Sequence, residues 1–432
     1  VERLDRGSEK LLGLFSLGPI LGAGVLAGLL AGVASAAARR TAGSWNPGWI
    51  EIEFVLFGAT ILGVALFHRV SAEIATAGLV SLLVDRLLAS GLEAIRALRS
   101  DWALFLNLAG LLLGFAILAK QFEESNLPEL LLRWIPASRA GGFALLVLVW
   151  AISSFLDNIA AAMLGGVMAR KAFGERVPVG YLAGIVAASN AGGAWSVVGD
   201  TTTTLVWIGG VSPAHLVRAL VGSATAIAVV GAFASFRLER ERPMGRDRLE
   251  PVGLDKVRLF LVGSTLAGAI AANAAIGAPA LGVWAAILLG ALLRPVPWKE
   301  LPAMLKGTGF LLCLVAMARL MPLRSLPAAS WESTLGLGLL SAVFDNIPLT
   351  ALALFQGGYD WALLAYAVGF GGSMIWFGSS AGVALSSLFP ESRNTLAWLR
   401  EGWPVILAYF LGFAVLLLAG GWKPTPVPVG SI

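Results

Sequence analysis

Apolar runs of about twenty residues recur along almost the whole of this chain, and that is the length a helix needs to cross the hydrocarbon core of a bilayer. Inside lipid every backbone polar group must find its partner within the protein, so such runs can only be spanning helices or strands of a closed barrel. Continuous runs of this length read as helices. Composition agrees, with 57% apolar and 13% charged residues, where soluble domains carry about 25% charged. Eleven spans are expected, near 11–38, 51–68, 70–85, 103–120, 180–208, 215–236, 259–275, 278–293, 307–322, 361–389 and 403–420. The chain begins at Val1, and the run from Leu11 lacks a clear cleavage site, so it reads as a span rather than a signal peptide. The lone Cys313 excludes an intrachain disulfide, and two histidines, His68 and His215, make a His-rich metal centre an unlikely use of this chain.

Two further apolar stretches, 141–169 and 332–356, carry Asp-Asn in their middles: Asp157-Asn158 and Asp345-Asn346. Charge at membrane depth is tolerated only where protein or a water-filled cavity surrounds it. Each stretch is therefore expected to be a re-entrant helical hairpin. The strings around them repeat. AISSFLDNIAAAM (151–163) matches LLSAVFDNIPLTA (339–351), and AGGAWSVVGDTTTTLV (191–206) matches FGGSMIWFGSSAGVAL (370–385). AILAK ending at Lys120 weakly matches VAMAR ending at Arg319. The pairs come in the same order in both halves.

The most basic segment is 237–258, which places it in the cytoplasm by the positive-inside rule. Counting crossings from it puts the N-terminus inside, the C-terminus outside, and the two hairpins on opposite faces. The excess of Lys and Arg thus follows membrane topology rather than nucleic-acid binding. The expected fold is an all-α polytopic membrane protein, with about 11 transmembrane helices plus two re-entrant hairpins in two inverted repeats, the plan of many secondary transporters. Its divisions are an extra span at 1–50, a first repeat at 51–236, a basic linker at 237–258, a second repeat at 259–420 and a tail at 421–432. The segment 86–101 is expected to lie at the interface.

The chemistry concentrates at the Asp-Asn breaks and at the Gly-rich breaks of 180–208 and 361–389, the first of which is expected to be unwound through Gly192, Gly193, Gly199 and the four β-branched threonines at 201–204. Where a helix ends, backbone carbonyls and N–H groups lose their partners. An Asp carboxylate and an Asn carbonyl added there make a set of hard oxygens suited to alkali and alkaline-earth ions. The competing reading is that each Asp caps the half-helix that follows. Asn190, Asp200, Thr201 and Thr202 add oxygens in the first half; Ser373, Ser379 and Ser380 do so in the second. These eleven residues (Asp157, Asn158, Asp345 and Asn346 with those seven) form the candidate cation and proton site. Sodium is expected on Asp157, Asn158, Asp345 and Asn346. Asp200 breaks the symmetry and is expected to tune Asp157. The alternative use of the Gly-rich breaks is close helix packing.

At these motifs the chain resembles the ion transporter superfamily of arsenite effluxers, dicarboxylate and citrate transporters and NhaD-type sodium/proton antiporters, and most of all the NhaD type. The strings that carry the resemblance are NAGGAWSVVGDTTTTLVWI (190–208), SAVFDNIPLTALAL (341–354) and GGSMIWFGSSAGVAL (371–385). The dicarboxylate carriers have Ser-Asn-Thr at the hairpin tips, where this chain has Asp-Asn-Ile. Their Thr-Pro-Pro is absent here, and neither motif centre holds Arg or Lys. The resemblance implies a sodium (or lithium)/proton antiporter rather than an enzyme. It implies no cofactor beyond the transported ions, a homodimer and a cell inner membrane. An anion or oxyanion transporter for arsenite, silicate or carboxylate is the alternative.

Overall fold

The computed structural model describes Gly28, Gly32 and residues 51–67, 70–136, 140–174, 176–241 and 253–426. Apart from Gly28 and Gly32, the expected span at 11–38 lies outside the described residues, as do His68, residues 242–252 of the basic linker and the tail beyond 426. Every regular element among those described is a helix. In the first half these are α1 (Ile52–Leu66), α2 (Ser71–Ser90), α3 (Glu93–Ser100), α4 (Trp102–Glu123), α5 (Leu127–Trp134), α6 (Gly141–Ser153) and α7 (Asn158–Phe173). They continue as α8 (Val179–Gly193), α9 (Thr201–Ile208), α10 (Pro213–Val217) and α11 (Ala219–Glu241). The second half has α12 (Lys256–Ile276), α13 (Pro279–Gly290), α14 (Leu301–Arg319), α15 (Trp331–Ser341) and α16 (Asn346–Gln356). It ends with α17 (Trp361–Gly371), α18 (Ser380–Leu388), α19 (Thr395–Glu401) and α20 (Trp403–Gly420).

Among the described residues, five stretches are long and apolar enough to cross a membrane: α4, Pro213–Ser235, α12, α14 and α20. The stretches 51–68 and 278–293 hold shorter helices, α1 of 15 residues and α13 of 12. The stretches 180–208 and 361–389 are each split in two, with breaks between Gly193 and Thr201 and between Gly371 and Ser380. The stretches 141–169 and 332–356 are also interrupted, each immediately before its Asn. The segment 86–101 holds α3, flanked by exposed Leu92 and carrying exposed Ile95.

The chain divides into two compact units. One comprises the described residues through Phe105 together with Trp298–Leu326. Within it α2 packs on α1 and on α14, and three ion pairs tie its helices together. Arg86 faces Glu53 at 3.4 Å and donates to the Leu320 carbonyl, and Lys306 meets Glu73 at 3.2 Å. Arg319 is paired with Asp101 rather than extended toward water.

The other unit, Leu106–Pro297 and Pro327–Ile432, holds all the breaks. At one end of it Asp255 caps α12 and takes a hydrogen bond from Arg294 at 3.1 Å. That contact holds the Asp255 carboxyl below the usual carboxylate range. The packing of this unit is exchanged between halves. Helix α18 lies on α7, and α9 lies on α16, so each split helix of one half seats its second piece against the interrupted pair of the other. Helices α8 and α17 also touch, and α11 packs against α20.

The repeated strings make repeated contacts. Ser153 donates to the Ser189 carbonyl at 2.6 Å, and its counterpart Ser341 donates to the Val368 carbonyl at 2.7 Å. A Cβ on Gly192 would stand 2.1 Å from the Trp150 carbonyl oxygen, and a Cβ on Gly371 would stand 2.1 Å from that of Gly338. Backbone meets backbone there, and only glycine allows it. Gly192→Ala and Gly371→Ala should each therefore cost at least the roughly 1–3 kcal/mol typical of overpacking. A lower melting temperature in detergent checks this, and a wild-type value for either variant would contradict it.

Candidate ion site

The two Asp-Asn breaks are built alike. Asp157 begins α7 as its N-cap and accepts from Ile159 N at 3.2 Å; Asp345 begins α16 and accepts from Ile347 N at 3.1 Å. Each carboxylate does cap the next half-helix, satisfying one of its orphan donors. Capping is not the whole of either side chain, because each has a second oxygen. Asp345 Oδ2 accepts from Ser380 Oγ at 2.7 Å. Asp157 Oδ1 is buried and has no hydrogen-bond partner.

The Asn side chains point to the same place. Asn158 Nδ2 donates to Asp200 Oδ2 at 3.1 Å and to Asn190 Oδ1 at 3.0 Å. From the other half, Asn346 Nδ2 donates to the same Asp200 Oδ2 at 3.3 Å. Asp200 is itself the N-cap of α9, with Oδ1 accepting from Thr202 N at 2.8 Å and the Thr201 hydroxyl at 3.4 Å. Asn190 Nδ2 then reaches across to Ser373 Oγ at 2.9 Å and Ser379 Oγ at 3.1 Å. Asn158, Asn190, Asp200, Asn346, Ser373 and Ser379 are all buried. Asp157, Thr201, Asp345 and Ser380 are half-buried around them.

The eleven residues singled out from the sequence thus fall in or beside one network, drawn from both halves. Asp200 stands at its centre rather than at the side of Asp157, and Asp157 and Asp345 are both within electrostatic reach of it. No three acidic, His or Cys side chains among the described residues gather as one metal-binding group. Amides and hydroxyls separate the carboxylates instead.

The asymmetry between the halves is local. The repeat aligns Asp200 with Ser379 and Asn190 with Gly369. A Cβ on Gly369 would lie in ordinary van der Waals contact with Asp200 Oδ2 and Ala194 Cβ, each at 3.7 Å. One half supplies both the central carboxylate and the bridging amide; the other leaves the equivalent positions small.

Two features lie outside the sequence expectations. The four threonines at 201–204 do not belong to the unwound stretch; they open α9. Thr203 Oγ1 donates to the Ser196 carbonyl at 2.6 Å and Thr204 Oγ1 to the Val197 carbonyl at 2.8 Å. Those carbonyls of the break are therefore already occupied, and fewer backbone oxygens face the network than an unwound stretch suggests. Thr202 Oγ1, by contrast, is buried without a partner. The bracing pair Ser153 and Ser341 was legible as a matched serine within the repeated strings.

Broken helices around carboxylates at the breaks, together with apolar helices of spanning length among the described residues, are the architecture of a polytopic membrane protein. No family model matches the chain. It is similar to the Na(+)/H(+) antiporter NhaD of Vibrio cholerae, at 28% identity over 363 residues that cover 68% of this chain and 74% of that protein. It is also similar to the Na(+)/H(+) antiporter NhaD of Vibrio parahaemolyticus, at 25% over 359 residues, 68% of this chain and 84% of that one. Sodium/proton antiporter 1 of Arabidopsis thaliana is 26% identical over 288 residues, 55% of this chain. The match spans about half the length of that plant relative (48%). These relatives are named as antiporters, not enzymes, and the likeness is to the NhaD type.

Proposed function

We propose that this chain is a secondary sodium (or lithium)/proton antiporter in which cation and proton compete for buried carboxylates. The observation that carries the reading is the convergence of both interrupted pairs on Asp200, with an unpartnered oxygen on the neighbouring Asp157. A charged carboxylate binds a cation and a protonated one does not, so one site serves both ions in turn. Asp157, Asp200 and Asp345 are its titrating groups. Asn158 and Asn346 contribute carbonyl oxygens once their amides turn, and Asn190, Thr201, Thr202, Ser373, Ser379 and Ser380 complete the oxygen set. The names of the relatives support the same ions.

Within this reading the two halves are inverted repeats, with about eleven spans and two re-entrant hairpins entering from opposite faces. The N-terminus is cytoplasmic and the C-terminus outside, in a cell inner membrane. The protein works as a homodimer whose site is exposed alternately to either side. The anion-transporter alternative is disfavoured by the charges of the network, which are all carboxylates and would repel an anion.

The test is purified protein in liposomes carrying a pH-sensitive dye. A sodium pulse should move protons, and an equal potassium pulse should move far fewer. No response to sodium or lithium at any pH, together with uptake of an oxyanion, would replace the reading with the anion carrier.

A further inference from the structure

Away from the candidate ion site, a cavity of about 220 Å³ opens where α8 and α20 begin, against the side of α11. Its walls are mostly apolar and include Tyr181, Val230, Phe233 and Trp403. Phe233 and Trp403 meet edge-on with ring centroids 5.1 Å apart, and both are exposed. One charged side chain lines the cavity, Glu401. It is half-buried, and among the described residues its carboxylate accepts one hydrogen bond, from Gly180 N at 3.3 Å.

The level of this cavity follows from the helices that form it. The apolar run of α11 gives way to Arg237, Glu239 and Arg240 just past Phe233, and the apolar helix α20 starts at Trp403. The cavity therefore sits at one membrane–water boundary, where Trp rings and lipid headgroups meet. Its size suits a headgroup rather than an isolated water, whose share of volume is about 30 Å³.

We propose that this cavity binds a membrane lipid whose headgroup carries an ammonium, with the ammonium on Glu401 and against the Phe233 and Trp403 rings. A carboxylate with spare lone pairs in an apolar wall selects a cation, and aromatic faces add attraction for an ammonium. A bilayer supplies that cation on a molecule whose acyl chains lie along the exposed apolar surface of α11 and α20. Arg176 and Arg400 flank the lining residues Pro178 and Glu401 in sequence, and their charge suits the phosphate beside such an ammonium.

The experiment uses the full chain, delipidated in mild detergent and titrated with phosphatidylethanolamine or phosphatidylglycerol, with melting followed by tryptophan fluorescence. Phosphatidylethanolamine should raise the melting temperature saturably, and phosphatidylglycerol should raise it little. Glu401→Gln keeps an acceptor for Gly180 N and should shift the lipid midpoint by about tenfold or more, the size expected when a hydrogen bond to a charged group loses its charge. Phe233→Leu, an exposed and volume-conserving change, should shift it by a few fold. Equal stabilisation by the two lipids, no stabilisation by either, or a wild-type midpoint in Glu401→Gln would overturn the proposal. Soluble ethanolamine giving the full shift would overturn the lipid as occupant.

Discussion

Asp200→Asn should abolish sodium-driven proton movement, lowering it by roughly a hundredfold or more. The figure follows from the cost of removing one charged partner from a buried, hydrogen-bonded set, about 3–5 kcal/mol. Asp200 Oδ2 holds amide donors from Asn158 and Asn346 together while Oδ1 accepts from Thr202 N, and an uncharged amide at 200 that keeps its oxygen on the two Asn side chains must turn its own NH2 onto the Thr202 N–H. The variant loses its titrating charge and one of its two acceptor oxygens at once. Liposome flux, with circular dichroism and melting to verify folding, measures the effect. A folded Asp200→Asn protein that exchanges ions within a few fold of wild type would reduce Asp200 to a helix cap and tuner.

The second large effect separates the two matched aspartates. Asp157→Asn should also abolish exchange, because Asp157 Oδ1 is the buried carboxylate oxygen left without a donor. Asp345 is held on one oxygen by Ser380 and on the other by Ile347 N, so a cation arriving there must displace a hydroxyl. Asp345→Asn is expected to be severe through loss of charge, yet to retain more residual flux than Asp157→Asn. In the wild type, apparent sodium affinity should rise with pH, because deprotonation creates the charged form that binds the cation, and it should level off once the site carboxylates are all ionised. Sodium titrations across a pH series check both statements. An affinity independent of pH would mean that cation and proton use separate groups. Equal residual flux in the two variants would mean that the difference in hydrogen bonding does not matter to transport.

Much of this was legible in the sequence because the signals were local. Asp-Asn in the middle of an apolar run and closely spaced glycines both disfavour a continuous helix, so the positions of all four breaks could be read from the string. The matched Ser, Asp-Asn and Gly positions fixed the correspondence of the halves. What stayed hidden depends on contacts between distant parts of the chain. Nothing in the string near Asp200 announces that Asn346, 146 residues away, donates to it. The threonines at 201–204 read as helix breakers by propensity, but their hydroxyls have unwound carbonyls to satisfy, and that contact outweighs the small intrinsic cost. Hydropathy likewise treats 51–68 and 278–293 as full spans, although the helices formed there are short.

The exchanged seating of α7 on α18 and α9 on α16 has a consequence for biogenesis. The ribosome delivers Asp157, Asn158, Asn190 and Asp200 to the membrane long before Asn346, Ser373 and Ser379 exist. Until α16 and α18 arrive, the first half holds a polar cluster with part of its partners missing, and α7 and α9 lack the helices that pack on them. Its last folding step must therefore wait for the end of translation, when the long-range contacts form together. On the proposed reading neither half is competent alone: the candidate site comes into being only as the chain is completed, and a truncated product leaves its carboxylates without their partners.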